Sequence, residues 1–207
     1  MIARAALLAA VGSLAACGVD YEELPGFHVA SGRTIVCLGD SLTAGARLGK
    51  SRSWPAHLDE TLTYEVVNSG ENGDTTAQAL ARFDRDVTSH APTIVVILIG
   101  GNDGLRRGSA DAAARNVRRL IERVVEIDAV PVLIGFDMGL IGAGFTSFLE
   151  GVAQETGARF LDDVIDDVLR TPSLKIDRVH PNEAGHARIA ERLREPITAL
   201  IDALDAR

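Results

Sequence analysis

A serine near the start of the chain and a histidine near its end carry the groups that nucleophilic catalysis needs. The serine is Ser41, in Gly-Asp-Ser-Leu-Thr-Ala-Gly, and the histidine is His180, three residues after Asp177. A hydroxyl is a weak nucleophile until a neighbouring base takes its proton. A histidine does this best when a carboxylate fixes its tautomer and orientation. Ser41, His180 and Asp177 therefore form a candidate catalytic triad.

Two glycine-containing segments could stabilise the oxyanion that forms when a hydroxyl attacks a carbonyl. Gly-Gly-Asn-Asp at 100–103 offers Asn102, whose side-chain amide can donate to such an oxygen. The segment at 70–76 contains Gly73 among residues typical of turns. Each segment alone also fits a plain polar turn, and Ser41 alone fits a helix N-cap. The functional interpretation depends on the set occurring together.

Short β-branched runs alternate with helical patterns along the chain. Strands are predicted over 34–38, 64–68, 93–99, 129–135 and 158–161, and helices over 54–63, 75–87, 109–128, 145–156 and 182–204. This alternation predicts a parallel sheet covered by helices on both faces. The third strand is apolar throughout, which indicates burial on both of its sides. In such sheets the functional groups collect at the carboxyl ends of the strands, which is where the candidate motifs fall.

Taken together, the motifs resemble the sequence blocks of the SGNH, or GDSL-type, hydrolase family, in the family's order. The resemblance implies that Ser41 is the nucleophile, that Asp177 and His180 are the acid and base, and that Ser41, Gly73 and Asn102 form the oxyanion hole. It implies a three-layer α/β/α, flavodoxin-like fold with a five-stranded parallel sheet. It also implies a serine esterase that hydrolyses carboxylic esters or thioesters through an acyl-enzyme, with no metal or cofactor. The motifs are most similar to the bacterial thioesterase, lysophospholipase and arylesterase branch.

Composition limits the other classes of function. The chain has 207 residues, of which 46% are hydrophobic and 4% aromatic, and its formal net charge is −8. This length predicts one domain, placed at 33–207. The acidic balance makes nucleic acid an unfavourable partner. Cys37, in the first predicted strand, is expected to be a small core residue. No glycine-rich loop with a lysine is present to cradle a phosphate, which disfavours a nucleotide-binding protein.

The N-terminal segment has the pattern of a secretory signal. Arg4 precedes an apolar run at 5–14, which is shorter than the ~20 residues of a membrane-spanning helix. The run ends in Leu-Ala-Ala-Cys, which resembles a bacterial lipoprotein signal with lipidation at Cys17. We therefore predict a signal peptide at 1–16, a tether at 17–32, and a protein attached to a membrane of the bacterial cell envelope by a lipid anchor. Because Gly18 follows the cysteine, that membrane would be the outer one, facing the periplasm, in a Gram-negative host.

Alternatives remain at both the N-terminus and the active site. The first residues also fit an ordinary signal cut after Ala16, or a buried helix. A Cys17–Cys37 disulfide would require that Cys17 is not lipidated. The same triad would suit an envelope glycan O-deacetylase or an acyltransferase, and the fold would suit a non-catalytic lipid-binding lipoprotein.

The stretch 137–148 departs from the family branch. Its Met138, Leu140 and Ile141 predict an apolar wall on the acyl-binding side, and its glycines predict mobility. Among the other histidines, His186 is predicted to face the helix surface.

Overall fold

Five parallel strands form one sheet at the centre of the domain. The computed structural model describes residues 19–137 and 145–207. Within them the strand order is β2-β1-β3-β4-β5. The strands are β1 (Thr34–Gly39), β2 (Glu65–Gly70), β3 (Ile94–Leu98), β4 (Val130–Ile134) and β5 (Arg159–Leu161). Each neighbouring pair is parallel, so the predicted five-stranded parallel sheet is confirmed.

Helices cover both faces of this sheet. They are α1 (Ser41–Ala44), α2 (Trp54–Asp59), α3 (Thr76–Ala81), α4 (Phe83–Asp86), α5 (Gly101–Leu105), α6 (Ala110–Glu126), α7 (Phe148–Thr156), α8 (Asp166–Arg170) and α9 (Glu183–Asp205). Helix α2 packs against α9, while α6 packs against both α3 and α7. A right-handed crossover from β1 to β2 places α2 on one side of the sheet, and crossovers in the opposite direction, from β2 past β1 to β3 and on to β4 and β5, place α3, α6 and α7 on the other side. Helix α9 follows β5 and packs beside α2. The result is the predicted three-layer arrangement.

The core follows the apolar patterns of the sequence. Every side chain of β3 is buried, as its continuous apolar run predicts. Helix α6 buries one stripe of residues, Val117, Leu120, Ile121 and Val124. Each such side chain contributes roughly 1.5–3 kcal/mol relative to an exposed position. Cys37 is fully buried, and burial raises the pKa of its thiol, which fits a core residue rather than a reactive one.

Two predicted helices are shorter than the pattern suggested. The helix predicted over 54–63 ends at Asp59, whose carboxylate accepts a hydrogen bond of 2.8 Å from the amide of Val66 in β2. The helix predicted over 75–87 is divided into α3 and α4, because the backbone leaves helical geometry at Arg82. The Asn182 side chain caps α9 as predicted, by accepting from the Gly185 amide at 3.0 Å.

The prediction that His186 faces a helix surface is wrong. Its side chain is fully buried, and its Nδ1 accepts a hydrogen bond of 3.3 Å from the amide of Trp54, at the start of α2. His186 lies three and seven residues before Ile189 and Leu193, which are buried on the same face of α9. Helical spacing therefore places it at the α2–α9 interface, and burial lowers the pKa of its ring to about 4.

The described part of the predicted tether packs against the domain. A short 3-10 helix at Tyr21–Glu23 is followed by turns, and the side chains of Phe27 and Ala30 are both buried. The Arg207 guanidinium lies 5.2 Å from the centre of the Phe27 ring, and its Nη2 donates to the Ala30 carbonyl at 2.7 Å. These contacts make residues 21–30 part of the globular structure, which differs from the tether expected there.

The predicted signal at 1–16 and lipidation at Cys17 lie outside the described residues, as do Met138, Leu140 and Ile141 of the predicted acyl-side wall. Among the helices of residues 19–137 and 145–207, none combines the length and the apolar character that crossing a bilayer requires.

Candidate active site

The three loops that carry the sequence motifs lie side by side at one edge of the sheet. They follow β2, β1 and β3, which are neighbours in the strand order. The strand order reverses between β1 and β3, because β1 connects outward to β2 while β3 connects toward β4. In open α/β sheets such a reversal creates a crevice at the carboxyl ends of the strands, where ligands bind. The fold therefore brings the loops of Ser41, Gly73 and Asn102 to one crevice.

Ser41 opens helix α1 directly after β1. The Asp40 carboxylate caps this helix by accepting a buried hydrogen bond of 3.0 Å from the amide of Leu42. Helix α1 is held tightly against β2: a Cβ atom added to Gly70 would lie 2.3 Å from the backbone nitrogen of Ala44. The position of the serine is therefore fixed both by its own cap and by the neighbouring strand.

Asp177 and His180 are presented by a closed loop in front of α9. The loop is closed by an antiparallel bridge between Lys175 and Pro181 and by a hydrogen bond of 2.9 Å from the Ile176 amide to the His180 carbonyl. Inside it, Asp177 Oδ1 accepts from the amides of Val179 and His180, at 3.0 and 2.9 Å. The three-residue spacing thus folds the carboxylate back onto the histidine.

The three groups of the candidate triad are within hydrogen-bonding distance of one another. His180 Nε2 lies 3.0 Å from Ser41 Oγ, and His180 Nδ1 lies 2.9 Å from Asp177 Oδ2. Burial acts to raise the pKa of Asp177, but hydrogen bonds from the Val179 amide and from His180 outweigh it and hold the pKa below its ordinary value. Arg47 adds a further cation, with Nε 3.3 Å from Asp177 Oδ2. Asp177 therefore stays ionised beside the imidazole.

Asn102 connects the third loop to the other two. Its Nδ2 donates to the carbonyl oxygen of Asp74 at 2.9 Å and lies 3.2 Å from Asp40 Oδ2. A side-chain amide has two protons, so both have an acceptor in this arrangement. Burial raises the pKa of Asp40 to about 7, against the opposing effect of the hydrogen bond from Leu42. The residue before the serine is therefore a buried carboxyl whose charge changes near neutral pH.

Gly73 lies in the loop after β2, adjoining the carbonyl that Asn102 contacts. Its φ of +83° is a conformation that favours glycine. Its own carbonyl accepts a hydrogen bond of 2.7 Å from Arg106 Nη2. Another contact joins this loop to the loop after β3: the Asp103 carboxylate accepts hydrogen bonds from the amide and the hydroxyl of Thr76, at 2.9 and 2.7 Å. The role of the Gly73 amide in an oxyanion hole stays a prediction.

A cavity of about 80 Å³ adjoins the serine and the histidine. It is lined by Asp40, Ser41, Leu42, Gly101, Asn102, Leu105, Val179 and His180. Leu105 is half exposed at its rim, which gives the entrance an apolar side. A larger depression of about 370 Å³ lies beside β5 and α9, is lined in equal parts by charged and uncharged residues, and contains none of the candidate catalytic groups. The small cavity is therefore the candidate site.

Residues 37–188 match the sequence profile of the GDSL-like Lipase/Acylhydrolase family, which covers most of the described domain. The chain belongs to this family. The fold, the family match and the similarity to named esterases identify it as a carboxylic ester hydrolase of the GDSL type. The resemblance drawn from the sequence motifs is thereby confirmed.

Individual relatives match over most of their length. The chain is 34% identical to esterase TesA of Pseudomonas aeruginosa, across 83% of this chain and 91% of the relative. It is 29% identical to thioesterase 1/protease 1/lysophospholipase L1 of Escherichia coli K12, across 85% and 88%. Among solved structures it is similar to psychrotrophic esterase EstA of Pseudoalteromonas inhibited by monoethylphosphonate, with a TM-score of 0.75 and 25% identity across 83% of this chain and all of that one.

Several residues at the site were not found by sequence reasoning. Arg82, Asp103 and Arg106 each bridge the loop after β2 to another catalytic segment. Asp103 and Arg106 follow Asn102 within four residues, so proximity in the sequence was a usable signal. Arg82 lies inside a predicted amphipathic helix, and nothing in the sequence pattern indicates that its side chain turns inward.

Proposed function

We propose that this chain hydrolyses carboxylic esters or thioesters through a covalent acyl-enzyme formed on Ser41. The observation that carries the proposal is the continuous contact from Ser41 Oγ to His180 Nε2, at 3.0 Å, and from His180 Nδ1 to Asp177, at 2.9 Å. Base-activated nucleophilic attack needs a serine hydroxyl, an imidazole and a carboxylate in this order.

In the first half of the reaction, His180 Nε2 takes the hydroxyl proton as Ser41 Oγ bonds to the carbonyl carbon. The carbonyl π electrons move to oxygen and form a tetrahedral oxyanion. As that intermediate collapses, His180 delivers the proton to the leaving alcohol or thiol, and an acyl ester of Ser41 remains. Asp177 keeps the Nδ1 proton in place and stabilises the imidazolium without itself taking the proton.

The second half repeats these steps with water. His180 takes a proton from water as the water oxygen attacks the acyl-enzyme, and it returns the proton to Ser41 Oγ as the acid leaves. A bound hydroxyl acceptor in place of water would give acyl transfer by the same groups. Product analysis with an added alcohol therefore distinguishes hydrolysis from transfer, and an acetylated glycan as substrate tests deacetylation.

The oxyanion would be stabilised by the amides of Ser41 and Gly73 and by the side chain of Asn102. In the resting structure the longer of the two Asn102 contacts, 3.2 Å, is the one with Asp40 Oδ2. We infer that this proton is the one donated to the oxyanion, while the 2.9 Å bond to the Asp74 carbonyl continues to hold the amide in place. Such a donor contributes about 2.7–4 kcal/mol of transition-state stabilisation.

The decisive experiment combines p-nitrophenyl ester hydrolysis with labelling by an active-site phosphonate. Ser41→Ala and His180→Ala are expected to lose hydrolysis, and the wild-type protein is expected to form one adduct on Ser41. The control is Ser51→Ala, which alters an exposed serine and should keep both properties. Undiminished hydrolysis by Ser41→Ala would refute the mechanism, and an unlabelled, inactive wild-type protein would favour a binding function. A series of acyl lengths then defines the preferred substrate.

We further propose that the chain is exported and attached to the bacterial envelope through lipid on Cys17. The support is the sequence pattern of a charged start, a short apolar run and Leu-Ala-Ala-Cys. Mass spectrometry of the mature N-terminus tests this, with Cys17→Ser as the comparison. A diacylated cysteine at the N-terminus is expected, and an unmodified terminus after Ala16 would indicate an ordinary secreted protein.

A further inference from the structure

The break between α3 and α4 occurs at Arg82, although this part of the sequence contains no glycine or proline. Backbone angles of φ −103° and ψ 7° at this residue end the first helix and start the second. Kinks in helices normally have a local cause such as proline, glycine or an inserted group. Here the turn carries the arginine side chain inward, where it is 8% exposed.

The buried guanidinium contacts three groups in three directions. Its Nε donates to Asp74 Oδ2 at 2.6 Å, and its Nη1 donates to Asp86 Oδ2 at 2.9 Å. Its Nη2 donates to the carbonyl oxygen of Gly39 at 3.0 Å. A buried cation is costly unless it is paired and fully hydrogen-bonded, and this one has both kinds of partner.

Two of these partners belong to catalytic segments. Gly39 is the last residue of β1 and lies two residues before Ser41. Asp74 follows Gly73, and its backbone carbonyl accepts the hydrogen bond of 2.9 Å from Asn102 Nδ2. Arg82 therefore connects the nucleophile turn to the loop that orients the candidate oxyanion donors, and none of its three hydrogen bonds goes to a residue that lines the cavity.

We propose that Arg82 is a positioning residue for the oxyanion hole: it sets the distance between the Ser41 turn and the loop of Gly73 and Asp74, and through Asp74 it fixes the Asn102 amide. This inference rests on the esterase function proposed above. The interruption of the helix lies at the same residue that makes these three contacts.

The three-way contact makes the position sensitive to the shape of the cation as well as to its charge. Arginine presents donors in a rigid planar fork, whereas lysine presents a single ammonium on a flexible stem. Arg82→Lys keeps the positive charge near Asp74 and Asp86 but cannot reach all three acceptors with the same geometry. Arg82→Met removes the charge and leaves both carboxylates without this partner.

The matched control is Arg85, which lies on α4 and shares one partner with Arg82. Its Nε and Nη2 donate to Asp86 at 2.6 and 2.7 Å, and its side chain is 71% exposed. Arg85→Lys and Arg85→Met therefore alter the same acidic residue from outside, without affecting Gly39 or Asp74. In all variants the concentration of folded active sites is measured by phosphonate titration, so that losses through unfolding do not enter kcat.

Arg82→Lys is expected to lower kcat per titrated site by roughly 10- to 100-fold with KM nearly unchanged, because a small misplacement of the donors acts mainly on the transition state. Arg82→Met should be at least as severe, and both Arg85 variants should match the wild type. In an Asn102→Ala background, Arg82→Lys should cause a clearly smaller further loss than it causes alone, because one of the donors that it positions is gone.

An unchanged kcat per titrated site in Arg82→Lys and Arg82→Met would reduce Arg82 to a structural role and overturn the proposal. Losses that multiply fully with that of Asn102→Ala would overturn its action through Asn102. Neither result would affect the proposed function, which fails instead if Ser41→Ala retains hydrolysis.

Discussion

The carboxylate of Asp177 holds His180 at two points, because it accepts hydrogen bonds from both the backbone amide and the imidazole Nδ1 of that residue. The first bond is 2.9 Å, and the ring contacts are 3.0 and 2.9 Å to the two carboxylate oxygens. One side chain therefore fixes the loop conformation and the orientation of the base together.

Asp177→Asn should retain much of the loop, because the amide oxygen can still accept from the backbone. Its NH₂ group would face Nδ1 and favour the wrong imidazole tautomer, so we expect kcat to fall by roughly 10³- to 10⁴-fold. Steady-state kinetics measure this, with the exposed Asp202→Asn on α9 as the control. A wild-type rate in Asp177→Asn would remove Asp177 from the triad.

Asn102→Ala tests the side-chain donor of the oxyanion hole. We expect kcat to fall by roughly 10²- to 10³-fold with a small change in KM, since the donor acts mainly in the transition state. Asn116→Ala is the comparison: its amide donates to the Thr76 hydroxyl at 3.0 Å, away from the cavity. A rise in KM alone would mean that Asn102 binds the substrate in its ground state.

Asp40 and His186 should change the stability of the protein in opposite directions over the same pH range. Burial raises the pKa of Asp40 to about 7. Its stabilising contribution to the free energy of unfolding is therefore present below about pH 4 and is lost as the pH rises toward 7. Burial lowers the pKa of His186 to about 4, so its contribution is present above about pH 6.5 and is lost as the pH falls toward 4. Each effect amounts to about 3–4 kcal/mol, and in the wild type they largely cancel.

Substituting either residue should expose the effect of the other. The free energy of unfolding in urea, measured from pH 4.5 to 7.5, should rise more steeply with pH in Asp40→Asn than in the wild type. In His186→Asn, whose side-chain oxygen can still accept from the Trp54 amide, it should fall with pH. The exposed Asp111→Asn provides a control with the wild-type slope. Identical slopes in all four proteins would contradict the assignment of buried, shifted groups.

Two glycines should respond to alanine in opposite ways. At Gly70 the new methyl group would meet the backbone of Ala44 at 2.3 Å, so α1 and its serine must move. Gly70→Ala should therefore lower both stability and kcat. At Gly151, within α7, no atom lies within 4 Å of the new methyl, so alanine should stabilise the protein by about 0.5–1 kcal/mol. Thermal unfolding and ester hydrolysis of the pair test this, and equal stabilities would show that β2 tolerates displacement of α1.

The strands of the sheet and the residues of the candidate triad could be predicted from the sequence, because short-range patterns mark both. Apolar runs marked the strands, and parallel strands end at one edge, so the loops of Ser41 and Asn102 were expected at the same edge of the sheet. The Asp177–His180 contact follows from a three-residue spacing within one loop. None of these inferences needed the direction of a side chain across the fold.

The predictions that depended on the direction of a side chain across the fold were the ones that the structure did not match. Ala79, Phe83 and Val87 recur every four residues, which suggested one continuous helix, but the helix breaks at Arg82, whose buried side chain bonds to Asp74 and to the Gly39 carbonyl. The polar character of histidine suggested an exposed position for His186. Its three-residue spacing from Ile189 instead places both residues on the buried face of α9. Residues 21–30 lacked any periodic pattern, because their burial depends on a contact between Phe27 and Arg207, 180 residues away in the chain.

The serine and its base are 139 residues apart in the sequence, and they meet only when the loop that precedes the final helix lies against the turn after β1. During synthesis, β1 and Ser41 leave the ribosome before His180 has been made, so the serine hydroxyl then has no base to take its proton. Ester cleavage is therefore a stringent assay of complete folding, and any truncation that removes the last helix should abolish ester hydrolysis.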